Sequence, residues 1–339
     1  MTPAVSVIVV NWDRCELLRS CLASLERQTY SDFEIVVVDN GSSDGSVAYL
    51  DSVTGPLLRV VKLDANYGFT GGANAGIRIA RGRYIALLNN DAEAEPDWLR
   101  TLAAALDADD TAGMAASKIL FAQDPSRIDK VGHLIYMDGL NHGRGSGETD
   151  RGQFDRDAEV LFPDGAAAMY RKAMLDQVGL FDERFFAYGD DADLGLRGRW
   201  AGWRCLYVAG ACVLHQRSAT AGEFSPFKAF LIERNRLWVA LKLWPWPLLL
   251  VSPAFTVVRL VFHAYGALTG TGSSGRFARN SRSALVLSMA RAYLAAFAQL
   301  GGILRSRSEV RRFRCLGSGE FMRLLWKHRI TVRDLTLKG

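Results

Sequence analysis

Val5-Ser6-Val7-Ile8-Val9-Val10-Asn11-Trp12 and Phe33-Glu34-Ile35-Val36-Val37-Val38-Asp39-Asn40-Gly41 decide the fold. Each is a short β-branched run that stops abruptly at polar residues, the pattern of a buried strand. Between them Leu17, Leu18, Cys21, Leu22 and Leu25 recur at helical spacing from about Arg14 to Arg27. The alternation continues outward. Leu58–Lys62 and Tyr84–Leu88 read as further strands, the second ending in Asn89-Asn90-Asp91. Pro96 stands at the start of a helix carrying Trp98, Leu99 and Leu102. Strands alternating with helices predict a doubly wound, mostly parallel α/β sheet. Ligands in such sheets bind at the carboxyl ends of the strands, where each polar cluster lies.

The 339 residues are 49% apolar and 23% charged, which excludes a disordered, collagenous or disulfide-scaffold chain. The charge is divided unevenly. Residues 1–224 hold 22 basic and 32 acidic residues, net −10; residues 225–339 hold 19 and 4, net +15. An acidic body with a basic tail that faces something anionic is the reading. Domains are expected at 1–222 and 223–339. Met1-Thr2-Pro3-Ala4 lacks a basic leader region, and the apolar run Val5–Val10 is too short for a signal, so a cytosolic chain is expected. Five cysteines without CxxC spacing read as free thiols. Residues 122–158, rich in Gly, Asp and Arg, read as a long, partly mobile loop region. Leu243–Val258 is uncharged for sixteen residues but holds Pro245, Pro247 and Pro253; it falls short of the roughly 20 residues that span a bilayer, and the prolines should interrupt a helix. Ala284–Ile303, with Arg291 inside it, reads as an amphipathic surface helix.

Several constellations can carry chemistry. Asp39 can accept a hydrogen bond from a ligand N–H, or belong to the cap of the helix near Val47; Asp44 reads as the cap itself. Asn66 to Gly76 is a glycine-rich loop leading into a helix, suited to phosphate or ribose, or else to close helix–strand packing. Asp91 can hold a divalent cation, which prefers oxygen ligands, or cap the next helix. Asp190, Asp191 and Asp193 crowd a helix start, where the helix dipole favours them; their mutual repulsion can also raise one pKa and make a usable base. His215 follows Asp191 by 24 residues, beyond a strand read over Arg204–Val208.

In this order the motifs resemble glycosyltransferase family 2, over Val5 to about Ser218. Val7–Trp12 looks like the first strand with its nucleotide-contacting end, and Val37–Gly45 like the base-binding turn. Asn66–Gly76 looks like the ribose–diphosphate loop, Leu88–Asp91 like the DxD metal motif, and Gly189-Asp190-Asp191 like the Glu-Asp motif that carries the base. His215-Gln216-Arg217-Ser218 looks like the segment of the downstream metal-ligand histidine. The nearest branch is the rhamnosyltransferase-like and galactofuranosyltransferase-like one, which acts on lipid-linked saccharides in cell-envelope polymer synthesis. Two positions depart from the pattern: Asn89 stands where the first Asp of DxD is usual, and Asp190 where Glu is usual.

The resemblance implies a GT-A fold, here with a helical, basic C-terminal extension, and an inverting transfer from a nucleotide sugar. It implies Asp191 as catalytic base with Asp190 beside it. Asp91 and His215 become ligands of Mg²⁺ or Mn²⁺, and Asn11, Asp39, Asn66, Gly68, Asn74 and Asn90 donor contacts. Asp164 falls on the acceptor side; Trp203 and Tyr188 can stack on a sugar face there, although aromatics of this kind more commonly belong to the core. An Asp39 that accepts from N3–H favours UDP- or dTDP-sugars over CDP-sugars, because cytosine has no N3–H. The expected partners are that donor, a saccharide or polyprenyl-diphosphate-saccharide acceptor and an anionic membrane surface, with the protein peripheral on the inner face of the cell membrane; nucleic acid is not expected. Other classes fit less well. A nucleotidyltransferase needs a Gly-rich, basic loop after strand one, where Asn11-Trp12-Asp13-Arg14 stands, and a dehydrogenase needs GxGxxG there. A degenerate binding module would not need Asp39, Asp91, Asp191 and His215 together.

Overall fold

β-branched runs form the strands because stiff, branched side chains pack well on a pleated surface. β1 (Val5–Asn11), β2 (Phe33–Asn40), β3 (Leu58–Leu63) and β4 (Tyr84–Leu88) pair in parallel in the order β4-β1-β2-β3. α1 (Cys15–Glu26), α2 (Ser46–Ser52) and α3 (Gly68–Ile79) make the crossovers. The computed structural model describes residues 2–53, 55, 57–216, 225–270 and 282–337. β5 (Ala92–Ala94), α4 (Trp98–Ala108) and β6 (Ala112–Phe121) extend the sheet beyond β4. The full order is β10-β12-β6-β11-β4-β1-β2-β3, with β5 added on β12 and β7 on β6. The mostly parallel α/β sheet is as expected; β11 (Ala167–Arg171) lies antiparallel between β4 and β6.

The expectation of a loop over 122–158 needs correction. β7 (Asp124–Lys130) pairs with β6, β8 (His133–Ile135) pairs with β9 (Asn141–Gly143), and β10 (Ala158–Glu159) pairs with β12 (Arg204–His215). The first four residues of β7 are exposed, so its sequence carries no apolar alternation. β12 also runs further than expected, and His215 is its last residue.

Most of the glycine-rich stretch is helix: α3 begins at Gly68, and Gly72 and Gly76 serve packing. A Cβ on Gly72 would lie 2.5 Å from Val10 Cγ1, and one on Gly76 2.5 Å from Ile8 Cγ2. The helix lies against β1 closely enough that only glycine fits, the alternative the sequence left open.

α5 (Lys172–Val178) and α6 (Asp190–Trp200) precede β12. Beyond it come α7 (Pro226–Leu243), α8 (Trp246–Thr269), α9 (Arg282–Ala298), α10 (Leu300–Phe313), α11 (Ser318–Lys327) and α12 (Val332–Leu337). The prolines do not interrupt α8. Pro245 and Pro247 stand at its start, where no intrahelical N–H is needed, and the helix runs on through Pro253 for 24 residues. By length and composition it is long and apolar enough to cross a membrane. α9 and α10 meet at a 62° bend instead of forming one surface helix.

Buried charge fixes these helices to the body. Glu233 of α7 pairs with Arg236 and, at 3.0 Å, with Arg259 of α8; Arg259 Nε also donates to Asp138 of the β8–β9 turn at 2.6 Å. Lys242 reaches Asp182 at 2.9 Å and Asp193 at 2.8 Å. Burial raises the Glu233 pKa, but hydrogen bonds and charge from Arg236 and Arg259 outweigh it and hold the carboxyl at about 2. A pKa depressed in the folded state contributes stability above the ordinary carboxylate range, lost as pH falls toward 2. Glu233→Gln should therefore cost about 3–5 kcal/mol at neutral pH by leaving two arginines underpaired, and the deficit should shrink below pH 4. Urea unfolding of both proteins across pH checks this.

Candidate active site

The polar ends of β1, β2 and β4 form one connected set. Asn11 and Asp39 are register partners, and Asn11 Nδ2 donates to Asp39 Oδ1 at 3.3 Å and to Ser42 Oγ at 3.2 Å. Asn90 Nδ2 donates to Asn11 Oδ1 at 2.8 Å, and Ser42 N to Asp39 Oδ2 at 3.1 Å. Asp39 is buried with both oxygens engaged. A carboxylate offers about four lone-pair sites, so acceptor capacity remains. Asp44 is not the N-cap of α2, which is Gly45; from one residue earlier it accepts from Ser46 N, and from Cys15 N at the start of α1. Asn40, which the sequence did not single out, pins the next loop: its Nδ2 donates to Asn66 Oδ1 and Gly68 O, and its Oδ1 accepts from Tyr67 N. Asn66 and Gly68 thus stand beside the strand ends. Asn74 does not join them. Its side chain donates to Phe181 O and Glu183 Oε1 and accepts from Phe181 N, so it holds that segment to α3.

Across the sheet, Asp91 and His215 meet: His215 Nε2 lies 3.2 Å from Asp91 Oδ1. On its other side His215 Nδ1 lies 2.8 Å from the fully buried Asp129 Oδ2. Two ligand atoms in adjacent positions on an octahedral Mg²⁺, each roughly 2.1 Å from it, stand about 3 Å apart, so the pair fits a divalent cation. Burial lowers the His215 pKa, but hydrogen bonds from its ring to Asp129 and Asp91 outweigh it and raise it to about 9; the same negative field attracts a cation. Arg217 and Ser218, the rest of this motif, lie outside the described residues.

A second cluster surrounds Asp191. His133 Nε2 lies 2.8 Å from Asp164 Oδ2 and 3.2 Å from Asp191 Oδ2, and its ring stacks on Phe162. Lys130 Nζ lies 2.7 Å from the same Asp164 oxygen and 3.9 Å from Asp129 Oδ2. Asp164 Oδ1 accepts from Ala166 N. Burial lowers the His133 pKa, but Asp191 and Asp164 outweigh it and raise it to about 9. Burial also pushes Asp164 up, yet Lys130 and His133 hold it well below the carboxylate range. Burial, then the neighbouring Asp191, push Asp190 well above that range. Among the described residues, His133, Asp164 and Asp191 place one ligand atom each within 4.8 Å of one another, a second arrangement able to take a cation; the Lys130 ammonium already stands beside it.

Asp129, Lys130 and His133 were missed because they lie in the segment read as a loop. They join the two clusters in a chain of contacts: Asp91, His215, Asp129, Lys130, Asp164, His133, Asp191. Asn235 of α7 was missed as well. Its Nδ2 reaches Phe185 O at 3.0 Å, Ala187 O at 2.9 Å and Tyr188 O at 2.7 Å, directly before Asp190. Phe186 and Tyr188 take positive φ there (66° and 67°), a strained backbone that its surroundings must hold. Asn235→Ala should lower kcat about 10- to 100-fold with little change in donor binding, because the segment that presents Asp191 loses its clamp. Steady-state kinetics beside a donor-binding titration read both. Tyr188 lies under the Lys228 ammonium. Trp203 is not part of the site. It precedes β12 at the end opposite His215 and donates its N–H to Gln177.

Residues 6–179 match the family model described as glycosyl transferase family 2, just over half of the chain. The chain belongs to glycosyltransferase family 2. It is 31% identical over 228 residues to an O-antigen biosynthesis protein of Myxococcus xanthus, an alignment that covers 65% of this chain and 18% of that one. It is 28% identical over 252 residues to an N-acetylglucosaminyl-diphospho-decaprenol L-rhamnosyltransferase of Mycobacterium tuberculosis, covering 66% of this chain and 79% of that one. The chain spans less than a third of the length of the first curated relatives it matches. Its fold matches a solved mannosyltransferase of Pyrobaculum calidifontis in complex with GDP-mannose and Mn²⁺, at a TM-score of 0.51 and 17% identity over 96% of this chain and 88% of that one. This family 2 member has the GT-A fold expected from its motifs.

Proposed function

We propose that the chain is an inverting glycosyltransferase that moves a sugar from a UDP- or dTDP-sugar to a hydroxyl of a saccharide acceptor that is lipid-linked, in cell-envelope polysaccharide synthesis. The observation that carries this reading is the chain of contacts that sets the Asp91–His215 pair and Asp191 on one polar wall. In this reading Asn11, Asp39 and Asn90, with Asn66 and Gly68, hold the nucleoside; Asp39 accepts from N3–H of uracil or thymine. Asp91 and His215 hold Mg²⁺ or Mn²⁺, which when bound neutralises the departing diphosphate. Asp129 fixes the His215 ring from behind, as carboxylates do for metal-bound imidazoles. Asp191 takes the proton of the acceptor hydroxyl. His133, held by Asp164 and Phe162, orients Asp191, and Asp190, whose carboxyl burial and Asp191 push upward, stands beside it. Asp164, its oxygens already engaged, positions His133 and Lys130; the acceptor contact first expected of it falls to the neighbouring surface.

Residues 1–222 form the catalytic unit in this account. The helices of residues 223–339 serve two ends. One face packs on the body through the buried ion pairs. The other leaves Leu250, Val257, Val261, Tyr265 and Leu268 of α8 exposed in one stripe, with Val286, Leu294 and Phe297 exposed on α9. An apolar stripe within a basic region suits the surface of an anionic membrane, where the lipid-linked acceptor lies. We place the protein there, peripheral on the cytoplasmic face. The test of the reaction is the anomeric configuration of the product, read by NMR after transfer to a saccharide acceptor. Inversion is expected from a single displacement, and retention would overturn the role of Asp191.

A further inference from the structure

Where α7 turns into α8, the loop residues Trp244 and Pro245 meet α10 and the start of α11 around a small pocket whose cations are Arg307, Arg311 and Arg314. Arg307 lies 4.6 Å above the Trp246 ring and donates to Leu241 O; Arg314 lies 4.2 Å above the Trp200 ring and donates to Ser318 Oγ at 2.8 Å. Among the described residues none of the three arginines has a carboxylate within ion-pair distance. Lys242, which also lines the pocket, is different: Asp182 and Asp193 already neutralise it. Burial, followed by Arg311 and Arg314, lowers the Arg307 pKa, so the three charges act on one another. Unlike Arg236 of α7 and Arg259 of α8, these three form no ion pair among the described residues. Flat guanidinium groups suit phosphate oxygens, which they bind in a fork.

The pocket adjoins the exposed apolar stripe. Trp246 is the first residue of α8, is half exposed, and carries Arg307 on its face. Tryptophan beside arginine at the head of an apolar surface is the composition of a membrane interface. The Trp200 wall of the pocket stands at the far end of α6, eleven residues and about 15 Å at helical rise from Asp190. We propose that this arginine pocket binds the phosphodiester headgroup of an anionic membrane lipid and so sets the depth and orientation at which the α8 stripe meets the bilayer. The proposal rests on the membrane-surface reading above and adds a discrete site to it.

The experiment compares two triple variants with equal loss of charge. Arg307→Gln/Arg311→Gln/Arg314→Gln empties the pocket. Arg305→Gln/Arg312→Gln/Arg323→Gln removes three exposed arginines outside it. Flotation with phosphatidylglycerol–phosphatidylcholine vesicles gives the affinities, and nucleoside-diphosphate release from the donor without acceptor reports an intact catalytic unit. With each basic residue held at an anionic surface worth about fivefold, the pocket variant should lose on the order of a hundredfold in affinity, and the control, whose arginines lie outside the pocket, at least about tenfold less than that. Arg311→Gln alone, at an exposed residue with no ion-pair partner among the described residues, should lose about fivefold and serves if the triple variant misfolds. Equal losses in the two triples, with the wild type floating, overturn the pocket and leave the membrane reading standing. A wild-type protein that does not float with phosphatidylglycerol at low salt overturns both.

Discussion

Asp191→Asn should abolish most transfer while leaving donor binding intact. General-base removal costs about 10²–10⁴-fold in turnover. The amide keeps the shape of the carboxylate and the contact of its oxygen with Ala192 N, so the α6 start should hold its conformation. The nucleoside-holding residues sit at the ends of β1, β2 and β4 and at the start of α3, on elements other than α6, so nucleotide affinity measured by calorimetry should change by less than about threefold, below 1 kcal/mol. His133 gives a second readout. His133→Gln keeps a donor toward Asp191 but loses the imidazolium charge, so it should shift the acid limb of the kcat profile besides lowering kcat. A variant of Asp191 with near wild-type turnover would remove it from the mechanism.

The second large effect concerns the cation. Chelator should abolish activity, and Mn²⁺ or Mg²⁺ should restore it. His215→Ala removes a nitrogen ligand, and Asp91→Asn the one charged ligand of the Asn89-Asn90-Asp91 turn. Each should raise the metal concentration for half-activity by more than Asp129→Asn does. Asp129 touches His215 from behind, and loss of such a partner typically costs about 10–100-fold in metal affinity. Titration of Mn²⁺ by electron paramagnetic resonance measures the affinities without turnover. Full activity in chelator would recast Asp91 and His215 as a structural pair.

The sheet was legible because its strands are written in β-branched runs and its ligand-facing ends in abrupt polar stops. Asp39 and Asp91 could be located at strand ends for that reason, while their roles, and the donor contacts of Asn11 and Asn90, came only with the family resemblance. Asp191 and His215 needed the whole motif order, because a lone His or a helix-start Asp has an ordinary structural use. What escaped did so on physical grounds. β7 runs at a sheet edge with one face in water, so Asp124–Lys130 carries no apolar pattern to announce Asp129 and Lys130, and His133 lies just beyond. Asn74 and Asn66 look alike in sequence, and only the direction of the helix turns one toward Phe181. Trp203 reads as a sugar-stacking residue until β12 places it at the far end of the strand. The prolines of α8 mislead because two of them fall where a helix tolerates them.

The central claim is that the donor diphosphate is received on the Asp91–His215 pair and not on the His133–Asp164–Asp191 cluster. A crystal grown with UDP and Mn²⁺ and measured at the manganese absorption edge decides it. The account predicts one anomalous peak, in bonding contact with Asp91 and His215 Nε2 and with the diphosphate oxygens. A peak seated among His133, Asp164 and Asp191, with none at Asp91, would contradict it.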